Sequence, residues 1–182
     1  KRCYISGKLL KRKVIGFDTN KERINELKRG FDRTNEISEK KLSKINFSDL
    51  TNDISVIANA DIFLITVPTP IDDYKKPDLK ALKNACITVA KALKIRNQNN
   101  ILNIDKKVPV IIFESTVYPG TTEEICIPLI KKELDKSLKG EKTNQEHFIY
   151  GYSPERINPG DKKHTLVDIK KVTSGNNSYS AY

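Results

Sequence analysis

A chain of 182 residues with 37% hydrophobic content is the size of one ordinary domain and has enough apolar side chains to bury a core. Its 33 Lys and Arg against 23 Asp and Glu give a net charge of +10, but lysine pairs are spread along the whole chain, which argues against a single basic stripe for nucleic acid. The three cysteines lack CxxC spacing, which excludes a zinc site or disulfide framework as the first interpretation, and no apolar run approaches the roughly 20 residues that span a bilayer. We therefore expect a cytoplasmic protein that binds neither nucleic acid nor membrane, with acidic small molecules such as nucleotides as ligands.

The first predicted elements are a short strand over residues 13–17, which ends at Asp18, and a helix capped by Asn20. The apolar residues that recur at helical spacing in this helix are Ile24, Leu27 and Phe31. A second, short helix is expected within the polar stretch 32–46, and a strand near residues 47–51.

The strongest strand signal is the unbroken apolar run over residues 60–68, of the kind that buried parallel strands need. A proline-rich loop follows, and Asp78 then opens a helix. Its predicted core-facing residues are Leu79, Leu82, Cys86, Val89 and Leu93. The polar segment 95–107 predicts a long surface connection.

The second half of the chain predicts a strand over residues 108–113 and then a helix that runs from Thr121 or Thr122, as the cap, to about Leu138. Pro128 predicts a bend in that helix. A strand is expected at residues 147–152 and an edge strand near 171–173. This alternation of strand and helix predicts an α/β fold: a Rossmann-like, mostly parallel sheet with helices on both faces.

Asp18 is the first candidate ligand residue, because an acidic side chain at this strand end of a dinucleotide-binding unit accepts hydrogen bonds from a ribose diol and favours NAD over NADP. Arg23, on the helix that follows, could reach the same ribose. The alternatives are an aspartate that only starts a turn and a solvated helix arginine.

The glycine fingerprint GxGxxG is expected about 20 residues before such an aspartate, yet only Gly7 precedes Gly16. By this spacing, the first strand and its glycine-rich loop would fall largely before residue 1. Either the fold is not a dinucleotide binder, or the chain is a fragment of one.

Two further segments follow strong strands, at the edge of the sheet where ligands bind in α/β folds. Residues 65–72 combine two prolines with Thr66 and Thr69, which suits a rigid lip against a nucleotide. Residues 114–116 place Ser115 and Thr116 where hydroxyls could bind a cofactor or hold a reacting water. A plain proline turn is the alternative for the first segment, and spacing does not separate the two.

The loop over residues 151–161 carries Glu155 between two prolines and next to Arg156, which indicates a possible acid–base carboxylate. An exposed loop with an incidental ion pair is the alternative. His147 and His164 have no partner at metal-ligand spacing, so we predict no metal site.

Four segments in fixed order, GFD, VPTP, ESTVYPGTTEE and YSPERINPGD, resemble the amino-terminal domain of the UDP-glucose/GDP-mannose dehydrogenase family. The nearest likeness is to the branch that oxidises UDP-N-acetylhexosamines for bacterial surface polysaccharides. The resemblance implies a 6-dehydrogenase that uses two NAD molecules in succession to convert the sugar C6 alcohol to a carboxylate through an enzyme-bound thioester.

The resemblance also implies the site residues. The cofactor contacts would be Asp18, Arg23, Val67, Pro68, Thr69, Pro70, Ile71, Ser115, Thr116 and Val117. The catalytic residues would be Thr116, which would orient a water, and Glu155, which would take part in hydrolysing the thioester. A second glutamate of some members is replaced by Pro159, so its role does not transfer.

Family members continue into a middle domain and a nucleotide-sugar domain that supply the nucleophilic cysteine and the catalytic lysine. We therefore expect residues 1–182 to form one partial NAD-binding domain that is inactive alone and belongs to a homo-oligomeric enzyme. A second hypothesis makes the chain a non-catalytic binding or scaffold module with a relic Rossmann domain. A third, with less support, assigns the positive charge to nucleic acid.

Overall fold

The computed structural model describes residues 13–34, 39–42, 49–99, 108–136, 147–154 and 172–177. The chain divides into two compact units, Lys1–Ile57 and Ala58–Tyr182.

The first unit contains a two-stranded parallel sheet and short helices around a small apolar core. Its elements are β1 (Gly16–Phe17), α1 (Lys21–Lys28), α2 (Glu39–Leu42), β2 (Leu50–Thr51) and α3 (Ile54–Ile57). The buried core residues are Ile24, Leu27, Leu42 and Leu50. As predicted, Asn20 caps α1: its side-chain oxygen accepts the backbone N–H of Arg23 at 3.1 Å.

The prediction that Phe31 continues the buried stripe of α1 is wrong. The helix ends at Lys28, and Gly30 adopts a left-handed φ of 79°, the conformation that glycine accepts without steric cost. Phe31 therefore lies beyond the helix and is 55% exposed.

The second unit contains a four-stranded sheet in the order β3-β4-β5-β6. Its strands are β3 (Ile62–Ile65), β4 (Val110–Phe113), β5 (Ile149–Tyr152) and β6 (Ser174–Gly175). The pairs β3-β4 and β4-β5 are parallel, and β6 is antiparallel to β5. The predicted mostly parallel α/β fold is confirmed, although the edge strand begins three positions later than the 171 at which we predicted it.

Helix α4 (Lys80–Asn99) follows the predicted stripe, since Leu79, Leu82, Cys86, Val89 and Leu93 are all buried. The prediction that a loop begins at residue 95 is wrong for residues 95–99, which are helical; residues 100–107 lie outside the described part of the chain. Arg96 explains the extra turn, because its buried guanidinium donates to the Ala60 carbonyl at 2.9 Å and lies 3.7 Å from the Asp61 carboxylate.

The segment after β4 forms a π-helix (Thr121–Cys126) that continues into α5 (Ile127–Asp135). Pro128 lies in the first turn of α5, where a missing N–H is tolerated, and the bend that we predicted at this proline stays a prediction. The predicted threonine cap is wrong. Gly120 occupies the cap position with a φ of 85°, and the buried Thr121 hydroxyl turns back to donate to the Tyr118 carbonyl at 2.7 Å.

The outer strand β3 is buried on only one face. Phe63 and Ile65 are buried, whereas Ile62 is 56% and Leu64 41% exposed. In the parallel register, Ile62 and Val110 are partners, and Val110 in turn pairs with Ile149, which is buried. Exposure of this face therefore decreases from β3 to β5, in contrast to the fully buried strand that the apolar run predicted.

Candidate functional site at the carboxyl ends of the strands

Asp18 lies directly after β1, where its backbone N–H continues the ladder by donating to the Thr51 carbonyl at 3.2 Å. The side chain is exposed, and its Oδ1 accepts the backbone N–H of Asn20 at 2.8 Å. Within the described residues, this is the carboxylate's only hydrogen bond. Asp18 is thus oriented at the strand end, with acceptor capacity left for a ligand.

Arg23 is bound to carboxylates of its own unit. Its guanidinium forms an ion pair with Asp32, whose side chain is only 2% exposed, and contacts Glu26 at 3.4 Å. The Asp32 carboxylate also accepts the hydroxyl of Thr34 at 2.7 Å. Arg23, predicted to contact a ribose, therefore also neutralises the buried Asp32 carboxylate.

Glu26 links this pair to a second arginine. Arg33 donates to both carboxylate oxygens of Glu26, from Nε at 2.7 Å and from Nη2 at 2.5 Å. The hydrogen bond from Arg33 is the main reason why the pKa of Glu26 lies below its ordinary value, with a smaller contribution from Arg23. The sequence analysis did not predict these ion pairs. In the sequence, the i,i+3 spacing of Arg23 and Glu26 was the local signal for one of them.

In the second unit, hydrogen bonds continue past the ends of three parallel strands. The N–H of Glu114 donates to the Ile65 carbonyl at 2.9 Å, and that of Ser153 donates to the Phe113 carbonyl at 2.9 Å. The segments that leave β3, β4 and β5 therefore start side by side at one edge of the sheet. This is the edge at which α/β proteins bind ligands.

Two hydroxyl groups tie the first two of these segments together. Ser115 Oγ donates to the Val67 carbonyl at 2.6 Å, and Thr69 Oγ1 donates to the Thr116 carbonyl at 2.6 Å. Ser115 is buried, whereas the Thr116 side chain is exposed at the edge. Both predicted segments are thus held against each other by neutral hydrogen bonds.

The remaining cofactor residues predicted for this unit lie in the same two segments and differ in exposure. Val67, Thr69 and Val117 are half-buried, and Pro68, Pro70 and Ile71 are exposed. The edge therefore presents apolar and hydroxyl groups together, a combination that suits the ring and ribose of a nucleotide.

The loop that follows Pro70 is closed on itself, a feature that sequence reasoning missed. Ile71 and Pro77 form an isolated bridge, and the Asp72 carboxylate accepts the N–H groups of Tyr74 at 3.0 Å and Lys76 at 2.7 Å. Asp72 in a proline-bounded loop was the available signal, because aspartate side chains commonly bind the backbone two residues on. The loop leaves Ile71 and Tyr74 strongly exposed.

Ser153, directly after β5, has a buried hydroxyl with no hydrogen-bond partner in the structure as described. Glu155, Arg156 and His164 lie outside the described residues, so the predicted catalytic role of Glu155 stays a prediction.

Among the described residues there is no group of three or more His, Cys, Asp or Glu side chains that could hold a metal ion. In the same part of the chain, no helix has the length and apolar character needed to cross a membrane.

Comparison with known proteins places the chain in a family. Residues 3–181 match the NAD binding domain of the UDP-glucose/GDP-mannose dehydrogenase family. The chain is 45% identical over 170 residues to UDP-N-acetyl-D-glucosamine 6-dehydrogenase of Salmonella typhi, covering 93% of this chain and 36% of the relative. It is 46% identical over 165 residues to Protein CapL of Staphylococcus aureus, covering 91% and 34%. The chain thus spans about a third of the length of these curated relatives.

Solved structures agree on the fold. GDP-mannose dehydrogenase from Pseudomonas aeruginosa superimposes with a TM-score of 0.66 at 24% identity, over 86% of this chain and 34% of that one. UDP-glucose dehydrogenase from Pyrobaculum islandicum gives a TM-score of 0.68 at 22% identity, over 95% and 37%. The Rossmann-like fold and the match over residues 3–181 agree with the motifs at the strand ends, and the chain belongs to the UDP-glucose/GDP-mannose dehydrogenase family, as its NAD-binding domain.

Proposed function

We propose that this chain is the NAD-binding part of a UDP-N-acetylhexosamine 6-dehydrogenase that makes uronic acids for surface polysaccharide. The observation that carries the proposal is the pair of hydroxyl-to-carbonyl hydrogen bonds at the strand ends, from Ser115 to Val67 and from Thr69 to Thr116. They occur within a chain that matches the family's NAD domain. The 45% identity to a UDP-N-acetyl-D-glucosamine 6-dehydrogenase supports this branch as the substrate class.

The donor set of the described residues fits NAD. Asp18 has an exposed carboxylate directly after β1, as a ribose diol requires, and its negative charge disfavours the 2′-phosphate of NADP. In the second unit, Val67, Ile71 and Val117 offer apolar surface beside the hydroxyl of Thr69. When bound, NAD supplies the acceptor for the hydride that leaves the sugar carbon.

Arg23 is proposed to support the ribose contact while its guanidinium stays bound to Asp32. Thr116 is proposed to orient a water, since its side chain is exposed while its carbonyl is fixed by Thr69. Ser115 contributes by positioning, because its hydroxyl is committed to the Val67 carbonyl. Glu155 is proposed as the active-site carboxylate on the resemblance alone.

Residues 1–182 are proposed to act as one partial domain of a longer homo-oligomeric enzyme, whose other domains supply the nucleophilic cysteine, the catalytic lysine and most of the UDP-sugar site. The coverage of about a third of the relatives' length supports this arrangement. We place the enzyme in the cytoplasm, without a nucleic-acid or membrane partner. The free thiols of the buried Cys86 and Cys126 are typical of a reducing compartment.

Cofactor choice tests the first part of the proposal. Calorimetric titration of the longer protein that carries this chain should give tighter binding of NAD than of NADP, and Asp18→Asn should weaken NAD binding by about tenfold, because a charge-assisted hydrogen bond is lost. Asp73→Asn, at an exposed aspartate of the Ile71–Pro77 loop, is the matched control and should change nothing. Equal binding of both dinucleotides before and after Asp18→Asn would contradict the assignment.

Substrate choice tests the second part, in the longer protein that carries this chain. We expect NADH to form on addition of a UDP-N-acetylhexosamine, with UDP-glucose a poorer substrate. NADH formation with UDP-glucose alone would move the protein to another branch of the family. Binding of NAD without oxidation of any UDP-sugar would favour the non-catalytic binding module.

A further inference from the structure

One buried side chain at the ends of the strands has no task in the proposed function. Ser153 lies directly after β5 and is only 4% exposed. Within the described residues, its hydroxyl oxygen is the buried side-chain atom of oxygen or nitrogen type that makes no hydrogen bond. A hydroxyl group that is removed from water without a new partner lowers the stability of the fold, so a serine at this position calls for another explanation than stability.

The backbone of Ser153 places its side chain beside the candidate site. The N–H of Ser153 donates to the Phe113 carbonyl at 2.9 Å, so the chain that leaves β5 starts next to the segment that carries Ser115 and Thr116. Ser115 is similarly buried, at 5% exposure, but its hydroxyl donates to the Val67 carbonyl at 2.6 Å. Two buried serines at neighbouring strand ends therefore differ in one respect: the hydroxyl of Ser115 is bound to the backbone, and that of Ser153 is not.

We propose that Ser153 is a further ligand-binding residue of this edge, and that its hydroxyl turns from the buried position to hydrogen-bond a neutral polar group of the bound ligand. The inference rests on the proposed function, which supplies a dinucleotide and a UDP-sugar as the two ligands. The chemistry that both share is a hydroxyl or amide group, which pairs with a serine hydroxyl as donor or as acceptor.

No side-chain hydrogen bond within the described residues has to be broken when the Ser153 hydroxyl turns. A serine side chain has three staggered positions about a single bond, and the hydrogen bond that would retain one of them is missing here. A ligand that provides a partner therefore removes a cost that the ligand-free protein already carries. Ser115 would first have to give up its hydrogen bond to Val67, which makes it the poorer candidate for the same contact.

The neighbouring residues favour a neutral group of the ligand over a phosphate. Among the described residues, the two segments that meet here, 108–122 and 147–154, contain neither lysine nor arginine. Phosphate groups are usually bound by these cations or by the N-terminus of a helix, whereas a serine hydroxyl alone supplies no charge. The groups that fit are the ribose hydroxyls and the carboxamide of the dinucleotide, and the hydroxyls and N-acetyl amide of the sugar.

The test compares Ser153→Ala with the unmodified sequence, in the longer protein that carries this chain. Calorimetric titrations use NAD and, separately, UDP-N-acetyl-D-glucosamine. We expect the Kd of at least one ligand to rise about fivefold, the usual net effect of one neutral hydrogen bond, and the ligand affected identifies the source of the contact. Without ligand, the urea midpoint of Ser153→Ala should be unchanged or higher, because the variant loses only a hydroxyl that has no partner. Weaker binding without a loss of stability separates a ligand contact from a structural role, which would lower both.

Thr88→Val is the matched control. This variant also loses one hydroxyl, which donates to the Asn84 carbonyl at 3.0 Å within α4, and it should leave both Kd values unchanged. Two outcomes would overturn the inference: unchanged Kd values for both ligands in Ser153→Ala, or a lower urea midpoint in that variant, which would mean that the hydroxyl has a partner inside the fold. If the unmodified protein binds neither ligand, the proposed function fails, and the inference fails with it.

Discussion

In the first unit, the residues around the candidate ribose site are held by charge, whereas in the second unit the candidate loops are held by neutral hydroxyl groups. Arg23 pairs with the buried Asp32, and Arg33 binds Glu26 with two hydrogen bonds. At the ends of β3 and β4, by contrast, Ser115 and Thr69 donate to backbone carbonyls. The charged contacts of the first unit are therefore sensitive to pH and salt, whereas the hydroxyl contacts of the second unit are not.

The comparison also shows where each kind of contact is costly to lose. A buried charge that loses its partner is left uncompensated, while an exposed pair contributes little because water and salt screen it. Removal of a hydroxyl group that donates to a buried carbonyl has an intermediate cost in the free energy of unfolding.

The largest effect is expected from Arg23→Met, which leaves the Asp32 carboxylate buried without its guanidinium. Loss of one partner of a buried pair costs about 3 kcal/mol or more, and neutral hydrogen bonds such as those from the Thr34 hydroxyl and backbone N–H compensate only in part. The free energy of unfolding from urea titrations at neutral pH measures the loss.

The matched control for this prediction is the double variant Arg23→Met, Asp32→Asn. Removal of the second charge should restore most of the lost stability, because no buried carboxylate then remains to be neutralised. A change below about 0.5 kcal/mol in the single variant would mean that the pair is screened like a surface ion pair.

The second prediction compares two buried serines at the strand ends. Ser115→Ala removes the donor to the Val67 carbonyl and should cost about 1.5 kcal/mol. Ser153→Ala removes a buried hydroxyl that has no partner within the described residues, so it should be neutral or stabilising. Urea unfolding of both variants measures the difference. Equal losses of unfolding free energy in the two variants would show that burial of the hydroxyl group, and not its hydrogen bond, determines the stability at this edge.

The third prediction concerns the exposed hydrogen bond between Thr69 and Thr116. Thr69→Val keeps the shape of the side chain but removes the donor to the Thr116 carbonyl, and should destabilise by about 0.5–1 kcal/mol. Thr116→Val is the control, since only the carbonyl of Thr116 takes part in the tie. A thermal shift at Thr69 with none at Thr116 would confirm the direction of this hydrogen bond, and the reverse would contradict it.

Much of the second unit was predictable because its signals are local. The five apolar residues of the α4 stripe recur at intervals of three and four, and burial of that stripe follows from helix geometry alone. The parallel strands also follow from apolar runs that alternate with helices. The end of α4 was missed because the buried Arg96, a polar residue in sequence, is retained by contacts with Ala60 and Asp61.

The candidate site was predictable in location but not in the partners of its side chains. The hydroxyl of Ser115 bonds a carbonyl 48 positions away, and a serine at a strand end faces ligand or backbone with no local pattern to distinguish them. Likewise, the pairing of Arg23 with Asp32 depends on the turn at Gly30, which brings the carboxylate back to the helix. Such contacts are set by tertiary structure, which single-residue propensities do not contain.

The smallest effect is expected from the pH dependence of the charged network in the first unit. The pKa of Glu26 lies below its ordinary value of 4.5, mainly because Arg33 donates to its carboxylate. A carboxyl group whose pKa is lower in the folded protein than in the unfolded chain stabilises the fold above pH 4.5, and this contribution is lost as the pH falls through the folded pKa. Glu26→Gln should therefore flatten the acid side of the curve of unfolding free energy against pH. Arg33→Gln should flatten the same part, and the double variant should add nothing, because both changes remove one interaction. Additive losses in this cycle would show that Glu26 and Arg33 contribute to stability separately. The hydrogen bonds between them would then not be the cause of the pH dependence.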